Sequence, residues 1–226
     1  MPLPAFLVAV VVSGASAPHP PPAAAASETV AFDPARPLKG AGWREKVYNR
    51  PVRWEVADDG GPVLHGVSEG AASMLHRGLV FDANDFPLVS WRWKVMRLPG
   101  KGPGNGRRND DYGARIYFFF PGRAFLDSHV IEYVWDNDAP PGTIKTSPSS
   151  RRCKLVVASS GSDGLGGWTA VERDLRDDFV RAFGRPPDRR VGGIGFMTDS
   201  DDTRSSAEAF YGPVSVRARP AAAASR

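Results

Sequence analysis

The sequence predicts an all-β fold, a two-sheet and mostly antiparallel β-sandwich of jelly-roll type with one short helix. Short stretches in which apolar and polar residues alternate recur along the chain, and side chains two positions apart share one face of a strand. The 24 glycines and 21 prolines supply the many turns that such a fold needs. With 226 residues, 42% of them hydrophobic, the chain is long enough to bury a substantial core.

The N-terminal region has the character of an export signal. Residues 3–12 form an apolar run of signal-peptide length that is too short to span a bilayer. Of two small-residue cleavage sequences, the one that ends at Ala26 is preferred, because Pro18 directly follows the other. Residues 1–26 are therefore predicted to be a signal peptide with a low-complexity spacer, and the mature protein to be periplasmic or extracellular. No later segment approaches a transmembrane span, so none is predicted in the mature protein.

The β-sandwich domain is predicted over residues 27–217, with a disordered tail at 218–226. Residues 58–61, Asp-Asp-Gly-Gly, form a hairpin signal between two of its strands. Residues 40–43 and the charged residues after them are interpreted as a loop. The strands predicted in the first half of the chain cover residues 29–32, 52–57, 63–67, 73–75, 79–81 and 88–96.

The stretch 107–135 is predicted to hold two central strands. At residues 114–120 the even positions are all apolar, whereas the odd positions carry charge and aromatic rings, among them Arg115. In the second run, 129–135, Glu132 is flanked by two valines on its own face. A carboxylate in such a position must find a partner, stay near solvent or have a raised pKa. Arg115 and Glu132 are therefore predicted to project into one shared cleft.

One segment in the second half of the chain has helical periodicity. Leu175, Phe179 and Phe183 recur at a spacing of four, which places them in one apolar stripe on a helix. Asp174 is a suitable N-cap, and Gly184 is a suitable end for the helix. The remaining predicted strands cover residues 155–158, 168–174, 191–197 and 210–216.

Composition excludes several classes of function. The net charge of +4 is spread along the chain without a run of one sign, so no nucleic-acid partner is predicted. Cys153 is the sole cysteine, which rules out an intramolecular disulfide. A reactive thiol would be assisted by a nearby histidine, and none lies within ten residues, so an inert Cys153 is favoured. The four histidines lack metal-ligand spacing, and no nucleophile elbow or phosphate loop occurs.

Two acidic segments are candidate ligand sites. Residues 197–203 place Asp199, Asp201 and Asp202 just after a strand. Because calcium prefers several oxygen ligands on a loop, calcium binding is the specific hypothesis for these three residues. An acidic turn that bonds its own backbone is the favoured alternative, because the glycine and distal glutamate of a helix-loop-helix calcium loop are absent. Asp111, in the second segment, would share a cation with the first if the two loops were adjacent. An Asp111–Arg115 ion pair is the favoured alternative there.

The leading prediction is an exported, non-catalytic binding module for a glycan or similar polar ligand. Six tryptophans, five tyrosines and twelve phenylalanines suit a protein in which flat rings stack on sugars beside fixed polar groups. Trp168 is a further aromatic candidate. The predicted ligand-binding residues are Asp111, Arg115, Tyr117, Glu132, Tyr133, Trp135, Asp199 and Asp201.

Two alternatives to the binding module remain. A polysaccharide hydrolase needs two carboxylates about 5 to 9 Å apart, and Glu132 with Asp111 or Asp199 would supply them. The compact carboxylate signature of retaining sandwich glycosidases is absent around Glu132, so no catalytic residue is assigned. The other alternative is a structural component of an envelope complex.

The order of segments from Trp91 onward resembles a bacterial family described only as domain of unknown function 3047. The matching pieces are W-R-W-K-V, N-D-D-Y-G-A-R-I-Y, E-Y-V-W, E-R-D-L-R-D-D-F, G-I-G-F-M-T-D-S-D-D-T and A-F-Y-G. The resemblance covers most of the predicted mature chain. It implies an exported single-domain β protein without an assigned activity or catalytic residue.

Overall fold

The structure is a computed structural model that describes residues 28–101, 110–122 and 127–220. Its first sheet contains six strands in the order β11–β6–β13–β4–β3, with β1 also paired to β13. All of these pairs are antiparallel. The strands are β1 (Glu28–Phe32), β3 (Arg53–Asp58), β4 (Pro62–Glu69), β6 (Leu88–Arg97), β11 (Thr169–Asp174) and β13 (Ser206–Arg217).

The second sheet contains seven strands in the order β2–β5–β12–β7–β8–β10–β9. The pair β8–β10 is parallel, and the other pairs of this sheet are antiparallel. The strands are β2 (Arg44–Val47), β5 (Ser73–Phe81), β7 (Ala114–Phe120), β8 (His129–Asp136), β9 (Ile144–Ser147), β10 (Ser150–Ser160) and β12 (Val191–Met197). These two sheets confirm the predicted all-β sandwich.

The core lies between the two sheets and is rich in aromatic rings. Trp91 and Trp93 of β6 meet edge to face at 5.3 Å between ring centroids. Across the core, Trp91 packs on Tyr133 at 5.0 Å and Trp93 on Trp135 at 6.0 Å. The predicted alternation is in the correct phase, because the apolar even positions of β7 and the odd positions of β8 line this core.

The predicted helix is confirmed as α1 (Leu175–Phe183). Asp174 caps its N-terminus by accepting a hydrogen bond from the backbone N–H of Asp177 at 2.9 Å. At the other end Gly184 adopts the left-handed conformation, with φ of 74°, which a residue without Cβ reaches at little cost.

The structure adds strands that the sequence pattern did not indicate. The segment after residue 43 was interpreted as a loop but contains β2, whose four residues are all exposed at the edge of the sheet. No strand was predicted where β9 lies, and the two short candidates 73–75 and 79–81 are one strand, β5. Edge strands such as β2 carry charge on both faces and so lack the alternation that marks a half-buried strand.

The ends of the chain bear on the remaining predictions. The predicted signal peptide and spacer, residues 1–26, lie outside the described residues, as do positions 221–226 of the predicted tail. Arg219, within that tail, forms ion pairs with Asp174 and Asp177 at 2.6 and 2.8 Å. Within the described ranges, no helix combines the length and the apolar character needed to cross a bilayer.

Candidate functional site

A buried guanidinium is the centre of the candidate site. Arg115 of β7 donates from Nε and Nη2 to both carboxylate oxygens of Asp199, at 2.8 and 2.5 Å. Its Nη1 donates to Oε1 of Glu132 at 2.8 Å, and its Nη2 also donates to the backbone carbonyl of Asp110. The side chain stacks on the ring of Tyr112, with 4.5 Å between the guanidinium carbon and the ring centroid. We call Arg115, Asp110, Glu132 and Asp199 the Arg115 cluster.

Strand register brings the members of the Arg115 cluster together. Residue 115 pairs with Met197, the last residue of β12, so Asp199 follows two positions beyond that pair. Glu132 lies opposite Tyr117 on β8, on the face that Arg115 also occupies. The Arg115 cluster therefore sits on the outer face of the second sheet, away from the core between the sheets. The predicted proximity of Arg115 and Glu132 is confirmed.

An apolar layer on the same outer face borders the Arg115 cluster. It contains Tyr117, Met74 and Met197, with Phe119 packed against them. Gly195 lies beneath this layer, and a Cβ there would come within 3.0 Å of the Met74 sulfur and 3.4 Å of the Phe119 ring. The glycine of β12 thus allows the two side chains to lie close on the strand.

The Arg115 cluster holds more negative than positive charge. Glu132 and Asp199 are 2% and 3% exposed, so burial is costly for both charged forms unless Arg115 compensates them. Burial raises the pKa of Asp199, and the attraction of Arg115 opposes that rise. Burial likewise raises the pKa of Asp110 to about 6, again against the attraction of Arg115. Asp110 thereby changes charge in a pH range where an ordinary aspartate is already ionised.

A surface cleft of about 380 Å³ opens above the Arg115 cluster. We call it the central cleft. Tyr48 forms part of its wall and is 51% exposed, although its backbone N–H is fixed to the carbonyl of Ala72 at 2.9 Å. The other lining residues are Ala72, Met74, Asp110, Arg115, Tyr117, Glu132, Ser147, Ser149, Ser150, Cys153, Met197, Asp199, Asp201 and Asp202.

The structure places most predicted site residues in or beside this cleft. The lining includes five of the predicted ligand-binding residues: Arg115, Tyr117, Glu132, Asp199 and Asp201. Asp111 lies next to the central cleft, in the wall of a neighbouring recess.

The favoured Asp111–Arg115 ion pair is absent among the described side chains. The Asp111 carboxylate instead accepts hydrogen bonds from the backbone N–H and the hydroxyl of Thr203, at 2.7 and 2.6 Å. Arg115 pairs with Asp199 because residues 115 and 197 are in register across β7 and β12.

Tyr133 and Trp135 were predicted to contact a ligand but lie on the opposite face of β8. They are 0% and 1% exposed and belong to the core. The Tyr133 hydroxyl donates to Asp178 at 3.0 Å, and Trp135 Nε1 donates to the carbonyl of Gly161 at 3.0 Å. Both polar atoms are thus used inside the protein, so neither residue faces the central cleft.

Trp168 lies apart from the central cleft, just before β11 of the first sheet. Arg92 and Lys94 cover its ring, at 4.5 and 5.3 Å from the centroid. Trp168 is not among the residues that line the central cleft.

Three carboxylates converge in a way that bears on the calcium hypothesis. Single oxygen atoms of Asp111, Asp199 and Asp201 lie within 4.8 Å of one another, so Asp111 takes the place predicted for Asp202. The oxygens of Asp111 and Asp199 already accept hydrogen bonds from Thr203 and Arg115. The described hydrogen bonds to the Asp199 and Asp201 carboxylates come from Tyr112, Arg115 and Asn49, outside residues 197–203. They are therefore not the bonds of an acidic turn to its own backbone, and calcium binding stays a prediction.

Cys153 borders the central cleft from β10. Its thiol donates to Oε2 of Glu132 at 3.4 Å. Burial, followed by the negative charge of Glu132, raises the pKa of the thiol well above its ordinary value. The side chain therefore stays a protonated thiol, which agrees with the favoured interpretation of an inert cysteine.

Sequence reasoning missed Tyr48 and gave no separate role to Asp110. Tyr48 directly follows the exposed edge strand β2, where no alternation marks which side chains point toward the cleft. Asp110 was noted only as part of an acidic segment. A signal for Tyr48 would have required the pairing of β2 with β5, which joins residues about thirty positions apart.

We expect the substitution Asp110→Asn to stabilise the protein at neutral pH. Asp110 has a folded-state pKa of about 6, whereas an unfolded aspartate titrates near 4. The folded state therefore holds the proton more tightly, and stability falls as pH rises from about 4 to about 6. Asparagine removes that loss. The free energy of unfolding of the variant should therefore exceed that of the original protein by about 1–3 kcal/mol above pH 6.5 and by little at pH 4. Urea unfolding at both pH values measures the difference.

The exposed Asp163 provides the matched control for that experiment. Asp163→Asn should leave the dependence of stability on pH unchanged. If Asp110→Asn increased the free energy of unfolding equally at pH 4 and pH 7, the result would contradict a raised pKa of Asp110.

The fold and the site define the chain as a β-sandwich protein with a polar cleft on the outer face of one sheet. A family model described as protein of unknown function (DUF3047) matches residues 41–215. The chain belongs to this family, and the resemblance seen in the sequence is confirmed.

The comparison with solved structures gives matches of low sequence identity. The family 30 carbohydrate-binding module of a cellulosomal cellulase from Clostridium thermocellum has a TM-score of 0.45 and 11% identity, and the match covers 85% of this chain and 98% of that one. The xyloglucanase domain of NopAA, a type three effector from Sinorhizobium fredii, has a TM-score of 0.46 and 10% identity, with coverages of 86% and 98%.

A third similar structure is much longer than this chain. The Endo-D glycoside hydrolase domain from Streptococcus pneumoniae R6 has a TM-score of 0.38 and 12% identity, and the match covers 77% of this chain and 21% of that one. The chain therefore spans about a fifth of that structure. No curated protein matches the sequence.

Proposed function

We propose that this protein is an exported, non-catalytic binding protein for a glycan or a similar polar ligand, which it holds in the central cleft. The observation that carries the proposal is the half-exposed ring of Tyr48 beside fixed polar groups in a cleft of about 380 Å³. A flat ring next to a few fixed hydrogen-bonding groups is the arrangement that recognises sugar surfaces.

The polar groups of the central cleft are held in place before a ligand arrives. Asn49 Nδ2 donates to Asp201 at 3.3 Å, and Arg115 fixes Asp199 and Glu132 from below. Rigid groups lose little conformational entropy on binding, so preorganisation increases affinity without additional contacts. Arg115, Glu132 and Asp199 therefore act as the support of the cleft. The groups that a ligand would contact are Tyr48, Asp110 and the exposed serines.

Binding is better supported than hydrolysis. A glycoside hydrolase needs one carboxylate that attacks or activates water and a second that donates a proton. The sequence suggested Glu132 with Asp111 or Asp199. Glu132 and Asp199 are both bound to Arg115 at 2.8 Å or less and are almost fully buried, and Asp111 accepts two hydrogen bonds from Thr203. In this arrangement none of these carboxylates is free to approach a glycosidic bond.

The substitution Tyr48→Ala should weaken glycan binding by roughly tenfold or more, because buried aromatic anchors commonly contribute 2 kcal/mol or more to an interface. Tyr48→Phe is the matched control, since it keeps the ring and removes the hydroxyl alone. The measurement is isothermal titration calorimetry against soluble β-1,4-linked glucose, xylose and N-acetylglucosamine oligomers. Both variants should unfold within about 0.5 kcal/mol of the original protein, because position 48 is half exposed.

Two results would count against the proposed function. If no oligomer binds the original protein, the glycan hypothesis loses its support. If an oligomer binds equally well to the original protein and to Tyr48→Ala, the ligand lies elsewhere. Export is tested separately by N-terminal sequencing of the protein recovered outside the cytoplasm, which should begin at Ser27 if cleavage follows Ala26.

A further inference from the structure

Two further recesses adjoin the central cleft. A recess of about 400 Å³ shares Asp110 with it, and we call this the lysine recess because Lys101 and Lys145 lie in its wall. A recess of about 430 Å³ shares Asp201 with it, and we call this the arginine recess because Arg50 and Arg204 line it. Three depressions therefore adjoin one another through shared lining residues, and Tyr48 lies in the one that borders both of the others.

The recesses are bordered by loops that are tied to one another. The connection after β6 is joined to the connection after β12, because the backbone N–H of Gly100 donates to Ser205 Oγ at 2.8 Å. The turn between β4 and β5 is joined to the same connection, because the N–H of Gly70 donates to the carbonyl of Ser205 at 2.8 Å. Asp111 adds a third link through Thr203. The described residues of these loops are thus linked to one another by hydrogen bonds.

The polar groups of the two outer recesses include both signs of charge. In the lysine recess, Lys145 pairs with Asp136 at 2.6 Å and Lys101 with Asp138 at 2.8 Å. In the arginine recess, Arg50 Nη2 donates to the carbonyl of Gly70 at 2.8 Å. Paired charges and backbone groups offer donors and acceptors without a strong field of one sign, which suits the hydroxyl groups of an uncharged sugar.

The combined volume of the recesses distinguishes between a single sugar and a chain of sugars as the ligand. Each recess lies near the lower end of the roughly 300–1,000 Å³ range of small-molecule sites, and the three together exceed that range. A monosaccharide would contact one depression and leave two unused. A linear chain would contact all three in succession.

We infer that the lysine recess, the central cleft and the arginine recess form one extended groove, and that its occupant is a linear oligosaccharide bound along its length. This inference rests on the proposed function and specifies its ligand. Units that bind side by side on one chain add their contributions, because the second unit is held close to its recess once the first is bound. Affinity therefore increases with chain length until the groove is filled.

The test is a matrix of oligomer length against groove variants, measured by isothermal titration calorimetry. The ligands are β-1,4-linked glucose, xylose and N-acetylglucosamine oligomers of two to six units. Arg204→Asn removes one cation of the arginine recess, and asparagine tolerates the positive φ of 53° at this position. Lys101→Gln alters the lysine recess through a side chain that is 63% exposed. Arg189→Gln, exposed and outside the groove, is the matched control.

For the series that binds, the original protein should bind the six-unit oligomer roughly tenfold or more tightly than the two-unit oligomer. Arg204→Asn and Lys101→Gln should each weaken the six-unit complex about threefold or more and leave the two-unit complex unchanged. Arg189→Gln should change neither. Equal affinity for short and long oligomers, or an equal effect of the outer variants on both, would overturn the extended groove while the proposed function stands. Absence of binding at every length in all three series would overturn the proposed function and this inference together.

Discussion

Replacing Arg115 with methionine should lower the free energy of unfolding by about 3–5 kcal/mol, the cost of removing one partner of a buried ion pair. The substitution leaves Asp199 and Glu132 buried without the guanidinium that now donates to each of them at 2.8 Å or less. The loss should be larger at pH 8 than at pH 5, because burial raises the pKa of Asp199 and its protonation at low pH removes the uncompensated charge. Urea unfolding at the two pH values measures both effects.

Two further variants identify the physical cause of that loss. Arg115→Lys keeps the positive charge but cannot form the paired bonds to Asp199, so its stability should fall between those of the original protein and the methionine variant. The triple substitution Arg115→Met, Glu132→Gln and Asp199→Asn removes the charges together and should recover part of the lost stability. A methionine variant that loses less than about 1 kcal/mol would contradict the central role of the cluster.

Replacing Trp135 with alanine should lower the free energy of unfolding by about 3–5 kcal/mol, as expected for the loss of a large aromatic side chain from a core. Trp135 is 1% exposed, packs against Trp93 and donates to the carbonyl of Gly161. Trp135→Phe keeps most of the packing and loses the hydrogen bond, so about 1–2 kcal/mol should be lost instead. Thermal unfolding measures the difference between the two variants.

Glycan affinity then separates a core role of Trp135 from a role in binding. Because Trp135 points away from the face that carries Glu132, Trp135→Phe should bind oligosaccharides within about twofold of the original protein. If Trp135→Phe kept normal stability but lost oligosaccharide binding, Trp135 would have to be part of the ligand site.

The behaviour of β8 shows what period-two alternation can predict. The phase assigned to β7 and β8 correctly placed Arg115 and Glu132 on one face of the second sheet. The same phase puts Tyr133 and Trp135 on the other face, in the core. Their prediction as ligand-binding residues came from the high aromatic content of the chain, which carries no information about direction. Local alternation was the better guide because it follows directly from strand geometry.

The parts of the site that the sequence did not indicate depend on distant pairing. Asp199 reaches Arg115 because Met197 lies opposite residue 115 across β7 and β12, and no local pattern encodes that register. The pairing of Asp111 with Thr203 spans 92 residues for the same reason. Tyr48 follows an edge strand whose charged residues show no buried face. In each case the missing information is which strands are neighbours.

The separation of Arg115 and Asp199 by 84 residues constrains how the protein matures. Loop closure over such a distance costs entropy that must be offset by strands already joined, so β7 and β12 have to meet before the ion pair can form. Until then the guanidinium and the carboxylates remain hydrated, and the floor of the cleft does not exist. The floor of the central cleft therefore depends on the pairing of strands that are distant in the sequence.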